Sequence, residues 1–585
     1  MDLKNFFKSF VLLAIVFILA FACVACSDSD EKQDASNSET VSDATDAEVV
    51  DKDGKYTIFE NGEYVARIVF PENATEAEKA LYDKVRNKMK DLTGVMPERI
   101  TDFKAYNDDG ADRAKPAILI GKTNYDESVQ VYQELGYTEH LMKIVGNKLV
   151  IAFSTDVEAG NLYASLLGHL REATKEYVGV KKDIKSSKST NAFLSSLPKY
   201  PNDTYDLVDL DRNSYMIHMK KDSIDNMRAY CEKLVEFGFE KVESREECGN
   251  LFETFTFEDK YAYAYYRDFD KSVRVVLGPK KMLASANCDV GLEETYTPYI
   301  ASIPQPNDGL GYIIRLPDGR FIILDGGYKG GDRVYNTLRE LEEGKITIAA
   351  WFVSHPHGDH YPALVDFIKA HGNDEDVTVE RVMFNYVHPD AYNINGSAGK
   401  ENASNAVRSL YNDIQTGLPN TPIIKVHTGQ TFSFGTSSVE ILYTVEDIMP
   451  RTLPNLNDSS MVIRVNIGEQ SIMLLADTCY DSGPILNNTW GEYLKSDIMQ
   501  IAHHGCYPSV KAIYDSIQAE TVLFPAMYKN VKNYVVEEKW AEVMNAVLGY
   551  AKDIYVSGDH MEIIELPYVV KNNKEEMLEY LKNYS

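Results

Sequence analysis

The sequence predicts an α/β protein with more than one domain. Its 585 residues exceed the usual length of one domain, and the 44% that are hydrophobic suffice for more than one buried core. Short apolar runs bounded by glycine, proline or aspartate alternate with segments of helical periodicity. This alternation is typical of sheets covered by helices, and we expect the largest domain at residues 293–566.

Two smaller regions precede this domain: an α/β region at residues 55–180 and an α+β region at residues 204–287. The first contains a predicted helix with a capping box that starts at Thr75 and a closing Gly94. Its pattern is similar to the small α/β domain that precedes the catalytic barrel in some glycoside hydrolases, which implies a structural or wall-binding accessory role. The polar residues 181–203, with several serines and two prolines, are predicted to link the two regions.

The α+β region is dense in tyrosine and phenylalanine, which alternate along two strand-like runs at residues 252–257 and 262–266. Aromatic density of this kind indicates either a surface that binds sugars or peptides, or a sheet face packed on one helix. At the other end of the chain, residues 567–585 are predicted to form a C-terminal helix.

The first residues have the pattern of an export signal. Lys4 and Lys8 precede an apolar run at residues 10–22, and small residues and cysteines follow it. This arrangement resembles a bacterial lipoprotein signal at residues 1–26, which implies lipidation of Cys26, with Cys23 as the alternative. A transmembrane anchor is the other interpretation of the same apolar run.

A polar segment at residues 27–54 follows the predicted signal and contains almost no large apolar residues. Such a composition cannot bury a core, so we expect a disordered spacer. With a lipid on Cys26, the protein would be attached to the cell membrane on its extracytoplasmic face.

The overall charge restricts the partners of this protein. The 89 acidic side chains outnumber the 60 basic ones, and the formal net charge is −29. An acidic surface repels nucleic acid, so we do not expect nucleic acid as a partner. Bound cations would still allow a phosphodiester to enter a metal site, because the ions supply the positive charge.

The most informative segment is residues 354–360, which reads Ser-His-Pro-His-Gly-Asp-His after an apolar run. It contains three of the twelve histidines in the chain. Neutral imidazoles and carboxylates are the groups that bind zinc and similar divalent ions. Side chains two positions apart on an extended segment point the same way, and the glycine permits a turn that presents a second pair. The segment therefore predicts a metal site that contains His355, His357, Asp359 and His360.

Further acidic and histidine residues follow predicted strands elsewhere in this domain. Asp325 ends an apolar run upstream of the histidines, and Asp477 ends another one downstream. His503 and His504 follow a third apolar run and precede a glycine. The end of a strand is a place where a rigid scaffold can hold a ligand.

The order of these four elements resembles the metallo-β-lactamase fold superfamily, whose signature is His-x-His-x-Asp-His. The resemblance implies an αββα sandwich for residues 293–566, preceded by the two accessory domains. Many members carry a further histidine before the strand that leads to the bridging aspartate, whereas residues 457–462 read Asn-Asp-Ser-Ser-Met-Val here. This departure, together with the later His-His-Gly, resembles the hydrolase domain of competence channels and the phosphorylcholine esterases of Gram-positive surfaces.

The resemblance implies two divalent ions that share Asp477 as a bridging ligand. The first ion would be bound by His355, His357 and Asp477, and solvent would complete its coordination. Three protein ligands plus solvent are the signature of an open catalytic site. Asn457 or Asp458 are candidates to approach this ion through water, although either is equally compatible with a plain turn before the strand.

The second ion would be bound by Asp359, His360, Asp477 and one of the two consecutive histidines, His503 or His504. Alternation along a strand predicts that these two imidazoles point to opposite faces, so that one binds metal and the other orients substrate or packs. Zinc is the expected metal, with manganese as the alternative.

The predicted chemistry is hydrolysis. Two divalent ions that share a hydroxide lower its pKa and polarise the electrophile, so the bound hydroxide would attack a phosphodiester or an ester. Asp359 is expected to serve as a ligand and to accept a proton from the bridging water, and Asp325 to orient a ligand or cap a turn. The substrate would be a small molecule or an envelope polymer.

Two alternatives remain open from the sequence. One is an extracellular nuclease of the competence-hydrolase type, and the other is a non-catalytic surface binding protein that keeps the fold. A basic stripe beside the metal site would favour the nuclease, and an aromatic cage there would favour a choline-like head group.

Overall fold

A computed structural model describes residues 54–103, 110–189, 191–202, 204–330, 332–392, 400–453, 455–537 and 540–584. The predicted signal, Cys26 and nearly all of the predicted spacer lie outside these residues, so those predictions stay predictions. Among the helices of the described ranges, none combines the length and the apolar character needed to cross a membrane.

The first domain contains two sheets, with strand orders β2-β1-β8 and β4-β3-β5-β7-β6-β9. Its elements are β1 (Lys55–Glu60), β2 (Glu63–Tyr64), β3 (Arg67–Phe70), α1 (Glu76–Thr93), β4 (Ile100–Thr101), α2 (Ala111–Ala114), β5 (Ala117–Ile120), α3 (Asp126–Glu134), β6 (Glu139–Val145), β7 (Lys148–Phe153), α4 (Asp156–His169), β8 (Tyr177–Lys181) and β9 (Lys185–Ser189). The predicted capping box at Thr75 and the left-handed Gly94 that ends α1 are both confirmed.

The segment predicted as a linker is partly a strand. Residues Lys185–Ser189 pair in antiparallel fashion with β6 and form the edge of the six-stranded sheet. Farther along, Leu194 is fully buried in a cluster that also contains Ile217 and Leu234 of the second domain. The linker interpretation was therefore wrong for these positions. An edge strand is held by backbone hydrogen bonds to one neighbour, so its polar composition does not distinguish it from a linker.

The second domain is a six-stranded antiparallel sheet with one helix, in the order β10-β11-β15-β14-β13-β12. Its elements are β10 (Asp206–Asp209), β11 (Tyr215–Met219), α5 (Ile224–Phe237), β12 (Glu240–Glu247), β13 (Asn250–Phe257), β14 (Lys260–Arg267) and β15 (Ser272–Pro279). One face of the sheet packs on α5 through Phe255, Ala262 and Ala264, which share a buried cluster with Met227 and Leu234.

The opposite face of this sheet is buried against the C-terminal domain. Tyr261, Tyr263 and Tyr265 of β14 are at most 1% exposed. The hydroxyl of Tyr263 donates to the carbonyl of Thr428 at 2.8 Å, and that of Tyr265 donates to Asp447 at 3.2 Å. Both predicted interpretations of the aromatic strands were therefore incomplete, because one face packs on the helix and the other forms an interface between domains.

The C-terminal domain begins with an eight-stranded mixed sheet, the N-terminal sheet of this domain, in the order β22-β21-β19-β18-β17-β16-β30, with β20 paired to β19. Its elements are β16 (Tyr299–Ser302), β17 (Gly311–Arg315), β18 (Phe321–Asp325), α6 (Arg333–Leu341), β19 (Ile346–Phe352), α7 (Pro362–His371), β20 (Val377–Val379), β21 (Val382–Phe384), α8 (Lys400–Gly417), β22 (Ile423–Lys425) and β30 (Ile563–Glu565).

A seven-stranded mixed sheet, the C-terminal sheet of the domain, runs in the order β23-β24-β25-β26-β27-β28-β29. Its elements are β23 (Thr431–Phe434), β24 (Ser437–Tyr443), β25 (Val462–Ile467), β26 (Gln470–Leu474), α9 (Ser482–Trp490), β27 (Ile498–Gln500), α10 (Lys511–Ile517), β28 (Thr521–Phe524), α11 (Tyr528–Val535), α12 (Ala541–Tyr550), β29 (Asp553–Val556) and α13 (Lys574–Asn583). Helix α13 lies within the predicted C-terminal segment, and its Leu581 is fully buried.

The two sheets share one buried core, and the helices cover their outer faces. In β17, Tyr312 and Ile314 belong to a cluster that also contains Ile463 and Ile472 of the other sheet. The intervening Ile313 belongs instead to the cluster that contains the helical residues of the outer layer. Successive side chains of a strand point to opposite faces, so this alternation defines an αββα sandwich, the arrangement that the sequence resemblance implies.

Candidate metal centre

The candidate site lies where strands of both sheets end. Strand β18 ends at Asp325, and β19 is followed by the histidine segment 354–360. In the other sheet, β26 is followed by Asp477 and β27 by the two consecutive histidines at residues 503–504. Strand β18 is parallel to β19, and β26 is parallel to β27, so the carboxyl ends of each pair lie at one edge of its sheet. The sequence-predicted residues meet between these two edges.

The backbone at these strand ends adopts an uncommon conformation. Positive φ values occur at Asp325 (56°), Ala476 (46°), His503 (51°) and His504 (57°), none of which is glycine. Such conformations cost free energy and persist where the surrounding structure holds them, typically at functional sites. At Ala476 the holding group is Gln500, which accepts from the Ala476 amide at 2.8 Å and donates to its carbonyl at 3.1 Å. This turn aims Asp477 into the site.

The first predicted ligand group is assembled in the structure. His355, His357 and Asp477 each present a ligand atom, and these atoms all lie within 4.8 Å of one another. His355 Nε2 lies 2.9 Å from His357 Nδ1 and 3.7 Å from Asp477 Oδ2. Three ligand atoms converge here as in a site for one divalent ion.

The second predicted ligand group contains Asp359, His360, Asp477 and His504, again with all ligand atoms within 4.8 Å. His360 Nε2 lies 3.2 Å from Asp477 Oδ2, and His504 Nε2 lies 3.3 Å from Asp359 Oδ2. His504 Nε2 is also 3.5 Å from Asp477 Oδ1. Asp477 thus belongs to both groups, which is the arrangement of a bridging carboxylate.

The structure distinguishes the two consecutive histidines, but not in the predicted way. Both imidazoles face the site, since His503 Nε2 lies 3.7 Å and His504 Nε2 3.5 Å from the Asp477 carboxylate. The prediction of opposite faces was wrong because both residues lie beyond the end of β27, in left-handed backbone conformation, where strand alternation no longer applies. The Nδ1 atom of His504 lies 3.1 Å from the carbonyl of Pro525, and this hydrogen bond directs its Nε2 into the second group.

Asp325 lies behind the ligands and orients them. Its carboxylate accepts from the Ser354 amide at 2.7 Å and from the Ser354 hydroxyl at 2.6 Å. Its Oδ2 also lies 2.9 Å from His360 Nδ1, so this hydrogen bond leaves the His360 Nε2 lone pair directed towards the site. A carboxylate behind an imidazole is the usual way to fix the tautomer of a metal-binding histidine.

Several buried polar atoms of the cluster have no hydrogen-bond partner, which tests whether the residues fit metal ions. His360 Nε2, His504 Nε2 and Asp477 Oδ1 are all buried and unpaired within the described residues. Leaving such atoms unpaired costs free energy, so a native protein provides each with a partner. These three atoms belong to the second ligand group, and a divalent cation would satisfy them together.

The imidazoles of the first group are held neutral. Burial lowers the pKa of His355 well below its ordinary value, with a further lowering from His360 and His357. Burial likewise lowers the pKa of His357. Metal binding requires an unprotonated imidazole nitrogen, so both side chains are in the form that binds an ion near neutral pH.

In the second group, burial and charge act against each other. Burial acts to raise the pKa of the Asp477 carboxyl, but His360, His504 and His503 overcome it and hold that pKa well below its usual range. Burial acts to lower the pKa of His360, yet Asp477 and Asp359 raise it well above its ordinary value. A concentrated negative charge therefore favours the protonated form of the neighbouring imidazole, and it would attract a divalent cation in the same way.

The site is accessible from one side. The side chains of Asp359 and His503 are 26% and 22% exposed, whereas those of His355 and His360 are fully buried. Exposed aromatic residues, Tyr480 and Tyr507, follow the ligands Asp477 and His504 by three residues each. A substrate would approach the ligand cluster across this side.

Asp458 has a role other than the predicted approach to the first ion. Its Oδ1 accepts from the backbone amides of Asp481 at 3.0 Å and Ser482 at 2.8 Å, and thereby binds the start of α9. Asn457 faces the site instead, since its Nδ2 lies 3.1 Å from His503 Nε2. Sequence reasoning missed Ser354 and Gln500 as supporting residues. The signals were a serine directly before the histidine segment and a glutamine at the end of a buried strand.

Comparisons with known proteins give no closer assignment. A scan against protein-family models and a search of curated proteins each found no match. Among solved structures, the chain is similar to CmlA, a diiron β-hydroxylase from Streptomyces venezuelae, with 15% identity, a TM-score of 0.28, and coverage of 46% of this chain and 54% of that chain.

It is also similar to a mutant flavo di-iron protein from Thermotoga maritima, with 14% identity, a TM-score of 0.19, and coverage of 58% of this chain and 61% of that chain. For the flavodiiron protein from Giardia intestinalis the identity is 10%, the TM-score 0.19, and the coverage 58% and 59%. The chain spans less than two thirds of each of these structures. These TM-scores are low, so the description of the chain as an α/β protein with a candidate binuclear metal centre rests on its own topology and site.

Proposed function

We propose that the C-terminal domain is a metallo-β-lactamase-type hydrolase that binds two divalent metal ions, and that it cleaves a phosphodiester or an ester at the cell envelope. The observation that carries the proposal is the shared Asp477. This one buried carboxylate belongs to two ligand groups. The histidine segment supplies His355 and His357 to the first group and Asp359 and His360 to the second. Two ions sharing a carboxylate are the arrangement that catalyses hydrolysis without a protein nucleophile.

The residues present fit zinc, with manganese as the alternative. Imidazole and carboxylate together suit both ions, and no thiolate belongs to either ligand group among the described residues. When bound, the ions would supply a water of lowered pKa and a Lewis acid for the electrophilic oxygen. The protein residues hold the ligands in place, exclude water from the buried side of the cluster, and accept a proton.

Asp359 is the proposed proton acceptor. Its carboxylate is partly exposed, and one of its oxygens lies 3.3 Å from His504 Nε2. Burial acts to raise its pKa, but His360 and His504 overcome this and hold the pKa below its ordinary value, so the group is ionised at neutral pH. An ionised carboxylate on the open side of the cluster is placed to take a proton from an attacking water.

The location at the cell envelope is proposed from the first residues alone. Lys4 and Lys8, the apolar run at residues 10–22 and Cys26 support an exported protein with a lipid on that cysteine. Incorporation of radiolabelled palmitate by the protein in a bacterial host, and its loss in a Cys26→Ser variant but not in a Cys23→Ser variant, would test the assignment. Labelling that follows Cys23 would move the lipid to the alternative residue.

The function is tested by measuring metal content and hydrolysis together. The purified wild-type protein should bind two ions per chain by elemental analysis and should hydrolyse bis-p-nitrophenyl phosphate in the presence of zinc or manganese. An Asp477→Ala variant should lose this hydrolysis while its circular dichroism spectrum is unchanged. Asp515→Ala, which removes a partly exposed carboxylate on α10, is the matched control and should retain it.

Three outcomes would count against the proposal. A wild-type protein that binds no metal would remove the basis of the mechanism. Two bound ions without hydrolysis of any ester or diester would favour the non-catalytic binding protein. Cleavage of oligonucleotides in preference to small diesters would favour the nuclease, against the expectation from the net charge of −29.

A further inference from the structure

The consecutive histidines His503 and His504 both reach the Asp477 carboxylate, from neighbouring positions of one left-handed turn. Their ring centroids are 6.0 Å apart. His504 Nε2 lies nearer to Oδ1 of Asp477, at 3.5 Å, and His503 Nε2 lies 3.7 Å from Oδ2. His504 belongs to the second ligand group, whereas His503 belongs to neither. His503 is therefore an imidazole close to the shared carboxylate that neither ligand group includes.

The position of His503 relates it to the first ligand group. The oxygen that it approaches, Oδ2 of Asp477, lies 3.7 Å from Nε2 of His355 in the first group and 3.2 Å from Nε2 of His360 in the second. His503 and His504 thus approach different oxygens of the shared carboxylate, as ligands of two different ions would.

The side chain of Asn457 contacts His503 directly. The Asn457 amide Nδ2 lies 3.1 Å from His503 Nε2, so the amide donates a hydrogen bond to the lone pair of that nitrogen. His503 Nδ1 is buried and has no hydrogen-bond partner within the described residues. The imidazole is therefore held by a contact that a cation would replace.

An aromatic residue supports the imidazole from its outer side. The ring of Tyr507 is stacked on that of His503, with centroids 6.3 Å apart and an interplanar angle of 28°. The Tyr507 ring in turn contacts Trp540, at 4.4 Å between centroids. This packing restricts the rotation of His503 away from Asp477, which preorganises the nitrogen for a ligand.

We infer that His503 is the fourth protein ligand of the first metal ion, and that the two histidines divide between the ions, His503 to the first and His504 to the second. The inference rests on the proposed two-ion centre. It replaces the open, three-ligand first ion expected from the sequence by one with four protein ligands.

The experiment measures zinc binding rather than activity. Isothermal titration and equilibrium dialysis would be carried out on the full chain for the wild type, His503→Ala, His504→Ala and the double variant. His371→Ala, an imidazole on α7 that stacks on Tyr335, is the matched control. The wild type and the control should bind two zinc ions, and each single variant should keep one tight ion and bind the other at least about 100-fold more weakly.

The double variant decides between one ion and two. If the histidines serve different ions, it should retain no tightly bound zinc. If both serve the same ion, it should still hold one ion as tightly as the wild type, and the inference would be overturned. Unchanged affinity for both ions in His503→Ala, with reduced hydrolysis, would also overturn it and assign His503 to the substrate.

A rescue variant guards against loss of folding. The amide of Asn457 already lies beside His503 Nε2, and histidine is longer than asparagine, so Asn457→His in the His503→Ala background should place a ring nitrogen in the vacated space. We expect this pair of changes to restore tight binding of the first ion. The visible absorption of the cobalt-substituted protein should return with it. If the folded rescue variant does not regain tight zinc binding, the inference that His503 binds the first ion beside Asn457 would be contradicted. A wild type that binds no zinc would instead overturn the proposed function itself.

Discussion

The Asp325 carboxylate lies 2.9 Å from Nδ1 of His360, behind the candidate metal centre. The same carboxylate accepts hydrogen bonds from the amide and hydroxyl of Ser354, and it has no exposed surface. Asp325 therefore connects the end of β18 to both ends of the histidine segment that follows β19. Its effect on the site is orientation, since it directs His360 towards Asp477.

This relationship predicts the effect of an Asp325→Asn substitution. An amide at this position cannot stabilise the histidine tautomer as a carboxylate does, so zinc affinity should fall about 10- to 100-fold. Isothermal titration with zinc would measure the change. Asp497→Asn, in an exposed turn of the C-terminal sheet, is the control and should bind zinc as the wild type does. Equal affinity of the wild type and Asp325→Asn would show that Asp325 only caps a turn.

Zinc should stabilise the folded protein without being required for folding. The inter-sheet core of the C-terminal domain, which contains Ile314, Phe352 and Leu474, joins the two sheets through apolar contacts that do not depend on a metal ion. A ligand that binds only the folded state raises the free energy of unfolding by about 2.7 kcal/mol at a free concentration of 100 times its Kd. Thermal unfolding after dialysis against EDTA, and again after addition of zinc, would measure this.

The Asp477→Ala variant provides the comparison for this stabilisation. Because it lacks the shared ligand, its unfolding temperature should be the same with and without zinc. A shift as large in Asp477→Ala as in the wild type would place the stabilising zinc elsewhere in the protein.

The interface between the second and C-terminal domains should depend on pH through Glu440. Burial acts to raise the pKa of Glu440, but the Tyr493 hydroxyl and the Arg464 guanidinium overcome it and lower the pKa from 4.5 to about 2. Arg245 of the second domain also donates to this carboxylate at 2.9 Å. Since the folded pKa lies below the unfolded one, the stabilisation is complete above about pH 4.5 and is lost as the pH falls towards 2.

Urea unfolding at pH 6 and at pH 3 would measure this contribution, which amounts to about 3 kcal/mol at the higher pH. The difference in stability between the wild type and Glu440→Gln should shrink as the pH falls. Glu492→Gln, at an exposed position beside Tyr493, is the control and should follow the wild type. A constant difference between the wild type and Glu440→Gln would contradict the charge-based account.

The aromatic face of β14 should couple the two domains during unfolding. Tyr263 is 1% exposed, and its ring stacks on His427 of the C-terminal domain with centroids 4.8 Å apart. Truncation of a buried ring of this size costs about 3–5 kcal/mol, so Tyr263→Ala should lower the stability of both domains together. Tryptophan fluorescence in urea reports on the C-terminal domain, which contains Trp351 and Trp490.

A substitution of an exposed aromatic residue in the same domain is the matched control. Phe237 of α5 is 49% exposed, so Phe237→Ala should change stability by much less. Equal stability of Tyr263→Ala and Phe237→Ala, or unfolding of the tryptophan-containing domain at the wild-type urea concentration, would show that the two domains unfold independently.

Local patterns were sufficient to predict many of the elements and the histidine segment, although the edge strand Lys185–Ser189 was mistaken for a linker. The capping box at Thr75 and the closing Gly94 of α1 follow from neighbouring residues only. His355, His357 and His360 lie within one short segment, so their convergence is a property of that segment and its turn. The complete ligand groups were predicted because the order of four motifs along the chain resembles that of a known superfamily. The structure brings the members of each group together.

The tertiary structure decided what depends on residues distant in the chain. The left-handed turn at His503 and His504 directs both imidazoles inward, and no alternation of side chains along a strand predicts this. Asn457 contacts His503 and Asp458 binds the start of α9 across 46 and 24 positions of the chain. The burial of Tyr263 against His427 joins residues still farther apart.

The sequence by itself therefore determined which side chains are candidate metal ligands and most of the segments that form strands, because periodicity and ligand chemistry are local properties. Only the tertiary structure decided which imidazole faces which oxygen of Asp477, and whether the tyrosines of β14 face a ligand or another domain. Packing between distant segments sets these orientations, and their free energies depend on contacts that no single stretch of sequence contains.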